Sequence, residues 1–109
     1  MRYILTDLMG ADRVRNDLVL AELEQLYAEL ECADGEHTDV SVRGGPDCEW
    51  CLAAHGSGDL VWENVERRDV SPRHMHAVKR EHVIELWRRL AAGDIAAIDS
   101  EPWKRGYGG

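Results

Sequence analysis

Apolar positions change their spacing several times along the chain, and each change marks an element. Arg2 to Leu8 alternates loosely around Tyr3, Ile4 and Leu5 and predicts a short strand ended by Met9-Gly10. From about Ala11 or Asp12 to Cys32 the period becomes helical. Val19, Leu23, Leu26 and Leu30 recur at three- and four-residue spacing, with Leu20 and Tyr27 widening the stripe. Asp17, Glu24 and Glu31 fall along one edge of that stripe, Glu22 and Glu29 along the other. Ala33-Asp34-Gly35 stops the helix, Gly35 being suited to a left-handed position beyond a C-cap.

Thr38 to Arg43 reads as a strand, Gly44-Gly45-Pro46-Asp47 as a turn and Cys48 to His55 as the next strand. His55-Gly56-Ser57-Gly58-Asp59 then connects a hairpin to Leu60–Val65. Alternation puts Trp50, Leu52 and Ala54 on one face, the better core candidate, and Glu49, Cys51, Ala53 and His55 on the other. Arg73 to Val78 reads as a further strand, an early helical turn started by Ser71-Pro72 being the alternative. The helical period returns from about Lys79 to Ala92, with Val83, Leu86, Trp87, Leu90 and Ala91 inward, until Gly93 ends it. Asp94 caps a short turn, Ile95 to Ile98, ahead of Pro102 and the Trp103–Tyr107 tail. The order predicts a single α+β domain over residues 1–109: an antiparallel sheet of about four strands with two main helices packed on one face. A parallel sheet would need a helix-length crossover, and residues 38–78 contain none.

Composition refines this picture. The 109 residues suffice for one core without disulfide or metal. The net charge of −8 argues against binding a nucleic-acid backbone, whose affinity comes from Lys and Arg. The imbalance is local: residues 1–60 hold four basic and thirteen acidic side chains, residues 61–109 nine and eight. No Lys or Arg lies between Arg15 and Arg43, so the acids there have no i,i+4 partner. No apolar run suits a membrane span or an export signal, and three cysteines make an odd count, so reduced thiols and a cytoplasmic location are expected.

The sharpest chemical pattern is Cys48-Glu49-Trp50-Cys51. With His74 and His76, which share a face if 73–78 is a strand, its two thiols would supply four zinc ligands. A zinc knuckle wants its C-x-x-C on a tight turn, however, and a redox pair wants it at a helix N-terminus. Here Cys51 falls inside an apolar strand, as a small buried hydrophobe does, and Cys32 reads as a helix-end core residue. No cofactor is therefore favoured, zinc being the alternative. For acid–base work His55 would pair with Glu63 across the hairpin, or His74 and His76 would line a cleft, but no serine has a nucleophile context. The glycine pairs lack the Lys-Ser/Thr ending of a phosphate loop.

Four tryptophans stand beside no phenylalanine. Trp87 and Trp50 read as core and Trp103 as a plug at the core edge, while Trp62 either completes a sheet face or stands exposed as a binding anchor. An acidic helix beside a Trp-bearing hairpin, without a catalytic motif, resembles the small cytosolic immunity proteins of bacterial toxin systems. The tail Leu90-Ala91-Ala92-Gly93-Asp94-Ile95 followed by Glu101-Pro102-Trp103 is similar to the ends of small uncharacterised bacterial proteins. The resemblance implies a non-enzymatic module that neutralises a basic partner such as a toxin. It transfers no individual site residue. The residues read as the partner surface are Glu22, Glu24, Glu29, Glu31, Glu36 and Asp39, with Trp62 as anchor. The other readings are a small zinc domain and a homo-oligomeric structural or regulatory protein joined at the hairpin edge.

Overall fold

The computed structural model describes residues 1–108. Strand β1 (Tyr3–Thr6) turns Tyr3 and Leu5 inward and folds back on β2 (Asp12–Arg15). The Asp7 carboxylate holds this turn by accepting from the backbone N–H groups of Met9 and Ala11, at 3.0 and 2.9 Å. On its other side β1 pairs with β3 (Asp39–Gly44). Then follow β4 (Trp50–His55), β5 (Leu60–Asn64), β6 (Arg73–Met75) and β7 (Lys104–Arg105). The sheet has seven strands in the order β2-β1-β3-β4-β5-β6-β7, every neighbouring pair antiparallel.

Register decides which face each side chain meets. Leu5, Val42, Leu52 and Trp62 stand opposite one another in adjacent strands, and all are buried. Helix α2 (Arg80–Ala91) lies over this row with Val83, Leu86, Trp87 and Leu90 inward, and the Trp87 indole N–H donates to the Leu52 carbonyl at 2.9 Å. Helix α1 (Leu20–Ala28), continued by a 3-10 turn over Glu29–Cys32, packs beside α2, with Tyr27 edge-on to Trp87 at 6.1 Å between ring centres. The short α3 (Ile95–Asp99) closes the far side, where Asp99 accepts from the Trp62 indole at 2.8 Å and from Arg73 at 2.7 Å.

The alternate row, Thr6, Ser41, Ala53, Val61 and His74, faces the other way. The C-terminal segment reaches this side: His74 Nδ1 donates to the Gly106 carbonyl at 2.8 Å and the Tyr107 hydroxyl to Glu63 at 2.7 Å.

Two expectations need correction. Among the described residues the sheet has seven strands rather than about four, and the chain has three helices rather than two main ones. The two strands with no counterpart in the sequence pattern are the edges, β2 and β7, four and two residues long, which form because a neighbour offers free backbone groups and not because their own pattern demands it. The helix expected from residue 11 or 12 to Cys32 shrinks to Leu20–Ala28, because Asp12–Arg15 pairs with β1 instead. Val19 and Leu20, read as part of its buried stripe, are 45 % and 47 % exposed, and the seam is Leu23 and Leu26.

Candidate functional site

The acids of α1 are answered by arginines from other elements. Arg15 of β2 donates from Nε to both carboxylate oxygens of Glu22, at 3.0 and 3.2 Å. Arg80, the first residue of α2, lies 3.6 Å from Glu24. Glu29 accepts from the Leu8 backbone N–H at 3.1 Å and pairs with Arg13 at 3.8 Å. Glu22, Glu24 and Glu29, which lack an i,i+4 partner, are thus paired across the fold, where an i,i+4 search does not look.

The acids beyond the helix are differently placed. Asp34 accepts from the backbone N–H groups of His37 and Glu36, which hold its carboxyl below the usual range and shape the loop into β3. That loop brings Glu36 and Asp39 beside Asp7, and the three line a groove of about 260 Å³ with His37 and Met9. Met9 is 72 % exposed. No Lys or Arg is among the residues lining it. Asp7 is held below its ordinary range chiefly by the Ala11 N–H, and its second oxygen pairs with Arg13 at 3.2 Å, the guanidinium that also meets Glu29. Glu29, Asp7, Glu36 and Asp39 thus share one end of the molecule. Glu31 lies apart, in a cleft it shares with Arg80.

Trp62 is wholly buried, stacked between Trp50 at 4.8 Å and Trp103 at 6.4 Å. Its role as a surface anchor is thereby corrected: the register puts it on the helix-covered face. Asp7 and Met9 carry no direct signal of a site in the pattern of residues, since both fall in a segment read as strand end and turn.

The zinc alternative distributes its ligands over separate strands. Cys48 is buried in the turn before β4, at a left-handed φ of 53°, with its Sγ 3.6 Å from the Arg2 carbonyl. Cys51 lies on β4 facing away from the helices, and burial pushes its thiol up to about 11. His74, on β6, and His76, just past the end of that strand rather than within it, do meet edge to face at 4.8 Å, but β5 separates β6 from β4. His74 donates to Gly106, and His76 contacts Asp59 at 2.8 Å. Among the described residues no group of three or more His, Cys, Asp or Glu side chains could hold a metal ion. Cys32, expected in the core, is exposed at the end of the 3-10 turn.

The other pairings also separate. His55 stands opposite Asp39, whereas Glu63 stands opposite Cys51 at the far end of the hairpin. The hairpin has no free edge for self-association, because β3 and β6 flank it. The outermost strand β2 carries Asp12, Arg13 and Arg15, charges that oppose edge-to-edge pairing. Among the described residues no helix is long and apolar enough to cross a membrane. Comparison with known proteins gives no matching family model, no similar curated protein and no similar solved structure.

Proposed function

We propose that the chain is a binding module for a basic protein partner, of the kind an immunity protein uses to neutralise a toxin. The observation that carries this reading is the groove where Asp7, Glu36 and Asp39 converge without a lining Lys or Arg. Carboxylates so placed speed the encounter with a basic surface and reject acidic ones. The exposed Met9 beside them replaces Trp62 as the apolar contact, its flexible thioether adapting to the surface it meets. Glu36 and Asp39 lead, while Asp7, Glu22, Glu24 and Glu29 contribute less, because arginines already partner them.

The test is affinity capture from the native host, with wild type beside the Glu36→Lys/Asp39→Lys double variant, at low and high salt. The expected result is a basic protein whose retention falls at least about tenfold on charge reversal and weakens with salt. Capture indifferent to both would overturn the reading.

A further inference from the structure

A second cleft, of about 420 Å³, opens between β6 and the start of α2 and has the opposite character. Its apolar surface comes from Met75, Val78 and Pro102, its polar surface from His76, Lys79, His82 and Lys104. The volume falls in the range of sites that enclose small molecules, roughly 300–1,000 Å³. On a chain with a net charge of −8, a concavity lined by two lysines and two histidines and by no carboxylate is an anomaly of composition.

Its walls are built from two stretches of chain, residues 75–82 and 102–104, and each is held from outside the cleft. His76 is held from the hairpin turn by Asp59, through Nδ1 at 2.8 Å, which leaves Nε2 for another partner. His82, on the first turn of α2, is held through Nε2 by Glu101, beyond α3, which leaves Nδ1. Between the histidines the chain passes through Ala77 at φ 52°, a left-handed conformation that a residue with a Cβ adopts only when its surroundings impose it. The imposing contacts are the His76–Asp59 bond and a backbone bond from Val78 N–H to the Gly58 carbonyl at 3.1 Å. The turn is thus fixed at both ends. Among the described residues, neither Lys79 nor Lys104 has a carboxylate within ion-pair distance, whereas the nearby Arg80 is answered by Glu24. The carboxylates behind the histidines, Asp59 and Glu101, are themselves occupied and do not line the cleft.

We propose that this cleft binds a small organic oxyanion, its carboxylate or phosphate headgroup held by Lys79 and Lys104 and its apolar body resting on Met75, Val78 and Pro102. Lysine suits either headgroup, being a mobile point charge with three donors. The free ring nitrogens of His76 and His82 orient the rest of the ligand. The apolar surface requires a body beyond the headgroup, since a bare anion would leave it wet.

The test is a nuclear magnetic resonance titration of the full chain with four probes: benzoate, phenyl phosphate, acetate and inorganic phosphate. Saturable shifts confined to residues 75–82 and 102–104 are expected for benzoate or phenyl phosphate, with Kd on the order of 1 mM or tighter. Whichever saturates at the lower concentration identifies the headgroup. Lys79→Ala and Lys104→Ala should each weaken binding about tenfold, and Lys79→Arg should retain it. Shifts that never saturate, or that ignore both alanine variants, would overturn the proposal. So would acetate or inorganic phosphate binding as tightly as its aromatic counterpart. A concentration-dependent dimer, seen by light scattering and lost in the Lys79→Ala/Lys104→Ala variant, would assign the cleft to an acidic segment of a second copy and would also overturn it.

Discussion

At Gly44 the backbone of α2 comes so near β3 that a Cβ would lie 2.5 Å from the Leu90 carbonyl oxygen. Overpacking of this kind is relieved only by moving a helix, so Gly44→Ala should lower the unfolding free energy by about 1–3 kcal/mol in urea titrations. Gly35→Ala, where nothing lies within 4 Å of the added carbon, should change it by less than about 0.5 kcal/mol. The contrast shows what a sequence reveals about a residue. Gly44-Gly45 reads as turn chemistry, and Gly45 does adopt φ 97°, but Gly44 ends a strand and is required for what approaches it. Trp62 teaches the same lesson. Alternation limits it to two faces, and only the packing of α2 and α3 decides which of them is covered. The candidate sites depend on such encounters still more: Glu36 and Asp39 were legible as acids, whereas their meeting with Asp7 depends on the β1–β3 pairing.

Elements were legible where they bury their own periodic side chains. α2 carries Val83, Leu86, Trp87 and Leu90 inward, and its observed bounds, Arg80–Ala91, lie within a residue of the helix expected from Lys79 to Ala92. β4 and β5 likewise fall within the strands expected over Cys48–His55 and Leu60–Val65, although both faces of each are covered. β2 has no buried side chain and β7 has two exposed residues, so neither leaves a hydrophobic signature. The same difference sets local stability. A strand held at one edge by backbone bonds opens without exposing the core, whereas β3, β4 and β5 cannot. Native-state hydrogen exchange should therefore release the amides of β2 and β7 first and those of β3, β4 and β5 last, near the global unfolding limit. Equal protection across all seven strands would contradict this ranking.

Across the whole molecule, charge is arranged so that stability has limits on both sides of neutrality. Arg88 and Arg89 hold Glu85 down to about 2, and Asp7, Asp34, Asp59 and Asp69 are also lowered, by backbone N–H groups or by His76 and Arg67. The folded state then binds fewer protons than the unfolded chain. Their contribution is complete above the unfolded carboxylate range and disappears as pH falls from about 4.5 toward 2. Cys51 acts in the reverse direction. Burial raises it from 9.0 to about 11, so its contribution is complete below pH 9 and is lost as pH climbs toward 11. Urea midpoints measured against pH should form a plateau between these windows, and Cys51→Ala should make the alkaline limb shallower without changing the acid limb, the remainder coming from Tyr3, raised by burial, and Tyr107, raised by its bond to Glu63. The three thiols also give the chain an internal clock. Cys32 is open to solvent, whereas Cys48 and Cys51 are enclosed beside the turn and strand that tie the sheet together. A thiol reagent therefore meets one sulfur in the native protein and must wait for the sheet to part before reaching the other two. At reagent concentrations that outpace reclosing, the interval between those labels measures how long the fold stays closed, read from sulfurs the chain already carries.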